Sequence, residues 1–210
     1  MRKTLLLPTM LLAVAVAVAA PVLAASPSKG SVTISVSRPV VVYGGSVILS
    51  GKVSSHQAGA NVSVGAEPFG ASTFTDLDTV ATKADGAWSY SAKPLIQTTY
   101  QARWNTATSR NVTVKVRPRI TLTLKSRTAK SGTFDVKVSA ERPFAGKYVL
   151  VQRLSPTGPT NIKHVVLDAG SSGTFTVRLP RHRARLRVVM PTSQTAPGYV
   201  GGYSNVWRSA

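Results

Sequence analysis

Between Ala84 and Arg117, apolar and polar residues alternate with period two through three successive runs. Trp88, Tyr90 and Ala92 fall on one face of the first run, Tyr100, Ala102 and Trp104 on one face of the second, and Val112, Val114 and Val116 on one face of the third. Successive side chains of an extended chain point to opposite sides, so this alternation predicts half-buried β-strands. Asp85-Gly86 supplies a turn before the first strand, and Pro94 a corner before the second.

Upstream, Val32, Ile34 and Val36 predict a first strand. Pro39 interrupts it, as suits an edge strand that switches sheets. Tyr43-Gly44-Gly45-Ser46 is a turn, and Val47, Leu49, Gly51 and Val53 face inward on a second strand. A loop at residues 56–59 precedes a third strand through Val62, Val64 and Ala66, and residues 74–82 form a fourth. Arg117-Pro118-Arg119 is too short to be a flexible linker, and a looser copy of the same plan follows it. Ile120, Leu122 and Leu124 open that copy, and Phe134, Val136, Val138, Val149, Val151, Phe175, Val177, Leu186 and Val188 mark its inward positions. Ser204-Asn205-Val206 echoes Arg110-Asn111-Val112. Self-similarity of this kind argues duplication of one module. No segment after residue 30 reads as a helix.

The expected fold is all-β, two tandem immunoglobulin-like β-sandwich domains after a signal peptide, over residues 1–25, 31–117 and 118–210. Arg2 and Lys3, the 16-residue apolar run Leu5 to Ala20, and small residues around Ala24 have the layout of a signal peptide. A bilayer span needs about 20 residues, so the mature chain is expected to have no transmembrane segment and to be secreted, extracellular or cell-wall associated. The chain has no cysteine, so each half must be held by its core rather than by disulfides.

Tyr43-Gly44-Gly45-Ser46-Val47, Leu49, Gly51, Asp85-Gly86-Ala87-Trp88 and Thr98-Thr99-Tyr100 resemble bacterial immunoglobulin-like or fibronectin type III-like repeats of secreted and cell-wall proteins, notably of high-GC Gram-positive bacteria. The second half carries the resemblance more loosely, with Leu186 where Tyr100 stands. The resemblance implies a spacer, adhesion or binding module without catalysis. Tyr100 itself follows a Pro-containing corner and starts the penultimate strand, the position of a tyrosine corner, in which its hydroxyl would bond backbone a few residues upstream; a plain core tyrosine is the equal alternative.

The residues show no catalytic motif. His56, His164 and His182 stand in different elements, and HExxH and GxSxG are absent. Asp76, Asp78 and Asp85 lack calcium-loop spacing and read as solvated strand residues. Neither a metal nor another cofactor is expected. The Asn61 and Asn111 sequons carry no weight in a bacterial chain.

Charge changes the picture. The chain holds 26 basic and 7 acidic residues, for a net charge of +19. Residues 31–117 carry 8 basic and 4 acidic residues, whereas residues 118–210 carry 15 and 3. Arg181, Arg183, Arg185 and Arg187 alternate with Leu186, so they share the outer face of one strand. With Val149, Val151 and Val206 pointing inward, Tyr148, Tyr203 and Trp207 join that face. Tyr199 lies in the connection from Pro191 to Gly202, which reads as a mobile tip or a binding loop. These eight residues are the candidate ligand-binding set. Its ladder of arginines and rings either satisfies itself by cation–π contact or takes an anionic polymer. The expected partners are an anionic cell-envelope polymer or another extracellular protein. Three functions follow: a structural or adhesive module pair at the envelope, a polyanion binder, and a two-domain export chaperone. The last requires Val112, Val114 and Val116 to be spare, but the core of the first half needs them.

Overall fold

A computed structural model describes residues 30–180 and 184–209; the proposed signal peptide and Arg181, His182 and Arg183 lie outside the described residues. The architecture is all-β and builds four sheets. Strands up to residue 117 are β1 (Ser35–Val36), β2 (Val40–Val42), β3 (Val47–Lys52), β4 (Asn61–Pro68), β5 (Thr75–Ala81), β6 (Ala87–Ala92), β7 (Thr98–Trp104), β8 (Ala107–Thr108) and β9 (Val112–Arg117). They form a three-stranded sheet in the order β1-β3-β6 and a second sheet in the order β2-β9-β7-β4-β5, with β8 also on β7. The chain switches sheets at Pro39: β1 pairs antiparallel with β3, and β2 pairs parallel with β9. Val112, Val114 and Val116 belong to β9, which lies between β2 and β7 in its own sheet.

Later strands are β10 (Arg119–Arg127), β11 (Ser131–Ser139), β12 (Tyr148–Ser155), β13 (Gly158–Val166), β14 (Ser172–Arg178), β15 (Arg185–Met190), β16 (Gly202–Tyr203) and β17 (Trp207–Arg208). They repeat the plan: β10-β11-β14 form one sheet and β13-β12-β15-β16 the other, with β17 also on β15. Counting β1 with β2, β8 with β9 and β16 with β17 as single broken strands, each half has seven. A four-residue helix, α1 (Thr192–Thr195), and a 3-10 turn at Ala84–Gly86 are the helical pieces described.

The core sits between the sheets of each half. Most positions expected inside are buried. Val36, Gly51, Tyr90, Trp104, Val112 and Leu124, near strand ends and rims, are half-buried, and Val206 is exposed. Burying a valine- or leucine-sized side chain contributes about 1.5–3 kcal/mol, so alternation repeated through both halves supplies the main driving force. Close approach needs one special residue: a Cβ on Gly51 would lie 1.9 Å from the Thr33 carbonyl oxygen and 2.8 Å from Trp88 Nε1.

One pair of alternatives is decided and one expectation is corrected. Among the described residues the Tyr100 hydroxyl makes no bond to upstream backbone; Thr98 is its polar neighbour, and burial pushes its pKa up to about 12. It is therefore a core tyrosine and not a tyrosine corner. The last strand also runs one residue out of the expected phase. Tyr100 pairs with Val112, and Leu186, its counterpart, pairs with Trp207. Trp207 therefore takes the place of Val112, and Val206 is 37% exposed. A slip of one residue turns every side chain to the other face. The reason is a shared bulge. In the first half the Ala102 amide donates to the Ser109 hydroxyl, which donates to the Arg110 carbonyl. In the second half Val188, Ser204 and Asn205 make the same two bonds. Ser204 is thus the counterpart of Ser109, not of Arg110.

Candidate functional site

The arginine-rich strand forms as alternation dictates. In β15, Leu186 and Val188 are fully buried, while Arg185 is exposed and Arg187 half-exposed on the outer side. Register places Arg187 beside Gln152 of β12, and Gln152 beside Asn161 of β13. Arg187 Nε donates to Gln152 Oε1 at 2.8 Å, and Gln152 Nε2 donates to Asn161 Oδ1 at 2.9 Å. A hydrogen-bonded row thus crosses three strands and fixes one guanidinium on the sheet.

Tyr203, 60% exposed, pairs with Val189 at the end of this face. Two guanidinium carbons approach its ring, Arg187 at 5.9 Å and Arg117, from β9 of the other half, at 5.5 Å. Each such contact is worth about 0.5–1 kcal/mol at an exposed site, enough to offset part of the repulsion between the cations. Tyr148, on β12, stacks on His164 of β13 with centroids 4.9 Å apart and planes 6° from parallel. Arg185 stands directly opposite Arg208 of β17, and a cleft of about 230 Å³ lies between them, lined also by Ala184 and Ser209. Like charges facing across a strand pair destabilise it, so an anion between these two would relieve their repulsion.

The corresponding face of the first half is electrically different. There Asp76 lies beside Gly65 on the outer side, while Asp78, beside the buried Val64, points to the inner side. In the second half Asn161, beside Gln152, stands where Asp76 does; Lys163, beside the buried Val151, matches Asp78 and donates to the Thr176 carbonyl of the other sheet. Asp76 pairs with Arg103, so the first face is neutralised where the second is not. None of the three ion pairs among the described residues involves Arg185, Arg187 or Arg208.

The structure brings together Arg185, Arg187 and Tyr203, with Tyr148 on the adjacent strand β12. Two expected members are elsewhere. Trp207 turns inward and meets the Phe134 ring edge-on at 4.9 Å. Tyr199 is 3% exposed and sits between the halves. Its connection is neither a mobile tip nor a free loop: the Gln97 amide donates to the Gly198 carbonyl, the Val200 amide to the Val116 carbonyl, and Arg142 to the carbonyls of Thr195 and Pro197. Arg181 and Arg183 lie outside the described residues. The sequence reading missed Arg117, Arg208 and His164. Arg208 becomes visible once Ser204 is aligned with Ser109, whereas no sequence signal points to Arg117.

Among the described residues, no three histidine or acidic side chains converge. His56 lies in the loop after β3, far in sequence from His164 and in the other half. No helix among the described residues is long and apolar enough to cross a membrane.

No protein-family model matches the chain, and no curated sequence does. Among solved structures it is similar to a tetra-tandem repeat in the extending region of a large adhesion protein, at 14% identity and a TM-score of 0.37, over 86% of this chain and 48% of that one. The chain thus spans about half the length of that structure. The fold defines a class, the all-β sandwich proteins.

Proposed function

We propose that the chain is an exported, non-catalytic pair of immunoglobulin-like sandwiches, divided at Pro118, that works at the cell envelope by binding an anionic polymer on the outer face of the second sandwich. The observation that carries this reading is the matched change from Asp76 to Asn161 on the outer face, where Arg185 and Arg208 oppose each other. That face lacks the carboxylate of its counterpart in the first half and presents opposed guanidinium groups. Guanidinium forks match phosphate, sulfate and carboxylate oxygens, and the exposed Tyr203 ring offers a surface to sugars or bases. A spacer role is compatible with this and rests on the clamped joint between the halves.

The test is binding to poly(glycerol phosphate) and to single-stranded DNA over a range of salt. Replacing Arg185, Arg187 and Arg208 with Ser is expected to weaken both. On single-stranded DNA the salt slope should fall by about 2, at roughly 0.7 for each phosphate no longer neutralised. A folded triple variant with wild-type affinity and slope would remove the proposal.

A further inference from the structure

A second feature is built mainly from the first half, with Glu141 of the second half at its edge, and shares no residue with the basic face. β5 and β6 are the end strands of their two sheets, and the wall between them is open beside Leu77 and Tyr90. The gap is a cleft of about 520 Å³, within the range of small-molecule sites. Ala66, Leu77 and Ile96 and the rings of Tyr90 and Tyr100 wall it. Leu77 and Leu95, both exposed, stand at the rim. In the second half Phe134 packs on Phe175 and Trp207, centroids 5.7 and 4.9 Å away, so its interior is filled by rings.

The polar groups in this cleft are few and poorly engaged. The Thr98 hydroxyl, neighbour of the Tyr100 hydroxyl, already donates to the Ile96 carbonyl at 2.8 Å. Among the described residues the Tyr90 hydroxyl has no hydrogen-bond partner, and Lys93 at the mouth has no carboxylate partner. The carboxylate of Glu141, also lining the cleft, accepts instead from the Tyr43 hydroxyl at 3.4 Å. A carbon-lined volume with a phenol and an unpaired ammonium among its few polar groups has the chemistry of a site for an apolar body bearing an anionic head.

We propose that this cleft binds a small apolar anion, an aromatic or aliphatic carboxylate or sulfonate, with its body between Leu77, Tyr90 and Tyr100 and its head on Lys93 and the Tyr90 hydroxyl. The inference is independent of the polyanion face. The probes are anilinonaphthalene sulfonate and the neutral phenylnaphthylamine, titrated by fluorescence into the folded chain. Both are expected to bind at one site, the sulfonate more tightly. Lys93→Gln should remove that preference, weakening the sulfonate about three- to tenfold and leaving the neutral probe unchanged. Ala66→Leu, or Leu77→Trp should the first variant not fold, should exclude both probes by filling the cleft. Sulfonate binding lost only on replacing Arg185, Arg187 and Arg208 would place the dye on the basic face and overturn the proposal. Binding of both probes at wild-type strength to a folded, filled variant would overturn it equally.

Discussion

The Tyr199 hydroxyl donates to the carbonyl of Leu95, 2.8 Å away and 104 residues earlier in the chain. It also accepts from the Glu141 amide at 3.0 Å, so one phenol ties the corner before β7 to the loop after β11. The ring packs edge-on against Phe144 at 5.7 Å, and the Arg142 guanidinium lies over it at 5.8 Å. Gly198 beside it has φ +84, and a Cβ there would come within 2.7 Å of Ile96, so only glycine lets the connection lie this close. The Tyr43 carbonyl adds a second clamp by accepting two bonds from Arg119, at 3.0 and 3.1 Å.

Tyr199→Phe keeps the ring but leaves the Leu95 carbonyl and the Glu141 amide without their partner. A loss of about 1–3 kcal/mol is expected. The Glu141 amide should also exchange faster with deuterium, which separates loosening of the joint from general destabilisation. Equal denaturant midpoints and equal exchange would show that the clamp carries no energy.

Trp207→Ala is expected to cost about 3 kcal/mol, because the ring fills space beside Phe134. Val206→Ala should stay within about 0.5 kcal/mol, as at other exposed positions. Paired chemical denaturation curves decide this, and the reverse order would restore the phase that alternation alone predicts.

Ser109→Ala and Ser204→Ala each remove the hydroxyl that partners a buried amide, that of Ala102 or Val188. Each should cost about 1–3 kcal/mol, and the two losses should be similar because the bulges are the same. A large loss at one site and none at the other would break the equivalence of the halves.

Burial raises the Tyr100 pKa to about 12 from an unfolded value near 10. A raised folded pKa means that the neutral phenol's contribution is complete below pH 10 and is lost as pH rises from 10 to 12. Tyr100→Phe lacks this titration. The stability of the wild type relative to the variant should therefore fall by on the order of 1 kcal/mol between about pH 9 and 12. Parallel curves across that window would show that the hydroxyl is solvated.

Asn161→Asp copies onto the second half the carboxylate that Asp76 gives the outer face of the first. The variant should bind poly(glycerol phosphate) more weakly than wild type, with a shallower salt dependence. Unchanged binding would show that this position does not set the potential of the face.

The sequence by itself determined the all-β class, the strands, and nearly all of the core, because period-two alternation is a local property that each strand carries alone. Pro39 announced the change of sheet for the same reason: a proline cannot donate to a ladder wherever it stands. The buried position of Leu186 and the outward set of Arg185 and Arg187 were legible on the same ground. Tertiary structure alone decided three things. The bulge at Ser204 shifted the phase of the last strand, since the bond that fixes it comes from Val188 on a neighbouring strand. Tyr199 became a clamp because its partners, Leu95 and Glu141, are distant in sequence. Arg117 reached the Tyr203 ring across the joint of the two halves. Each depends on where one element stops against another, and that is set by packing and hydrogen bonds between segments rather than by the pattern within any one of them.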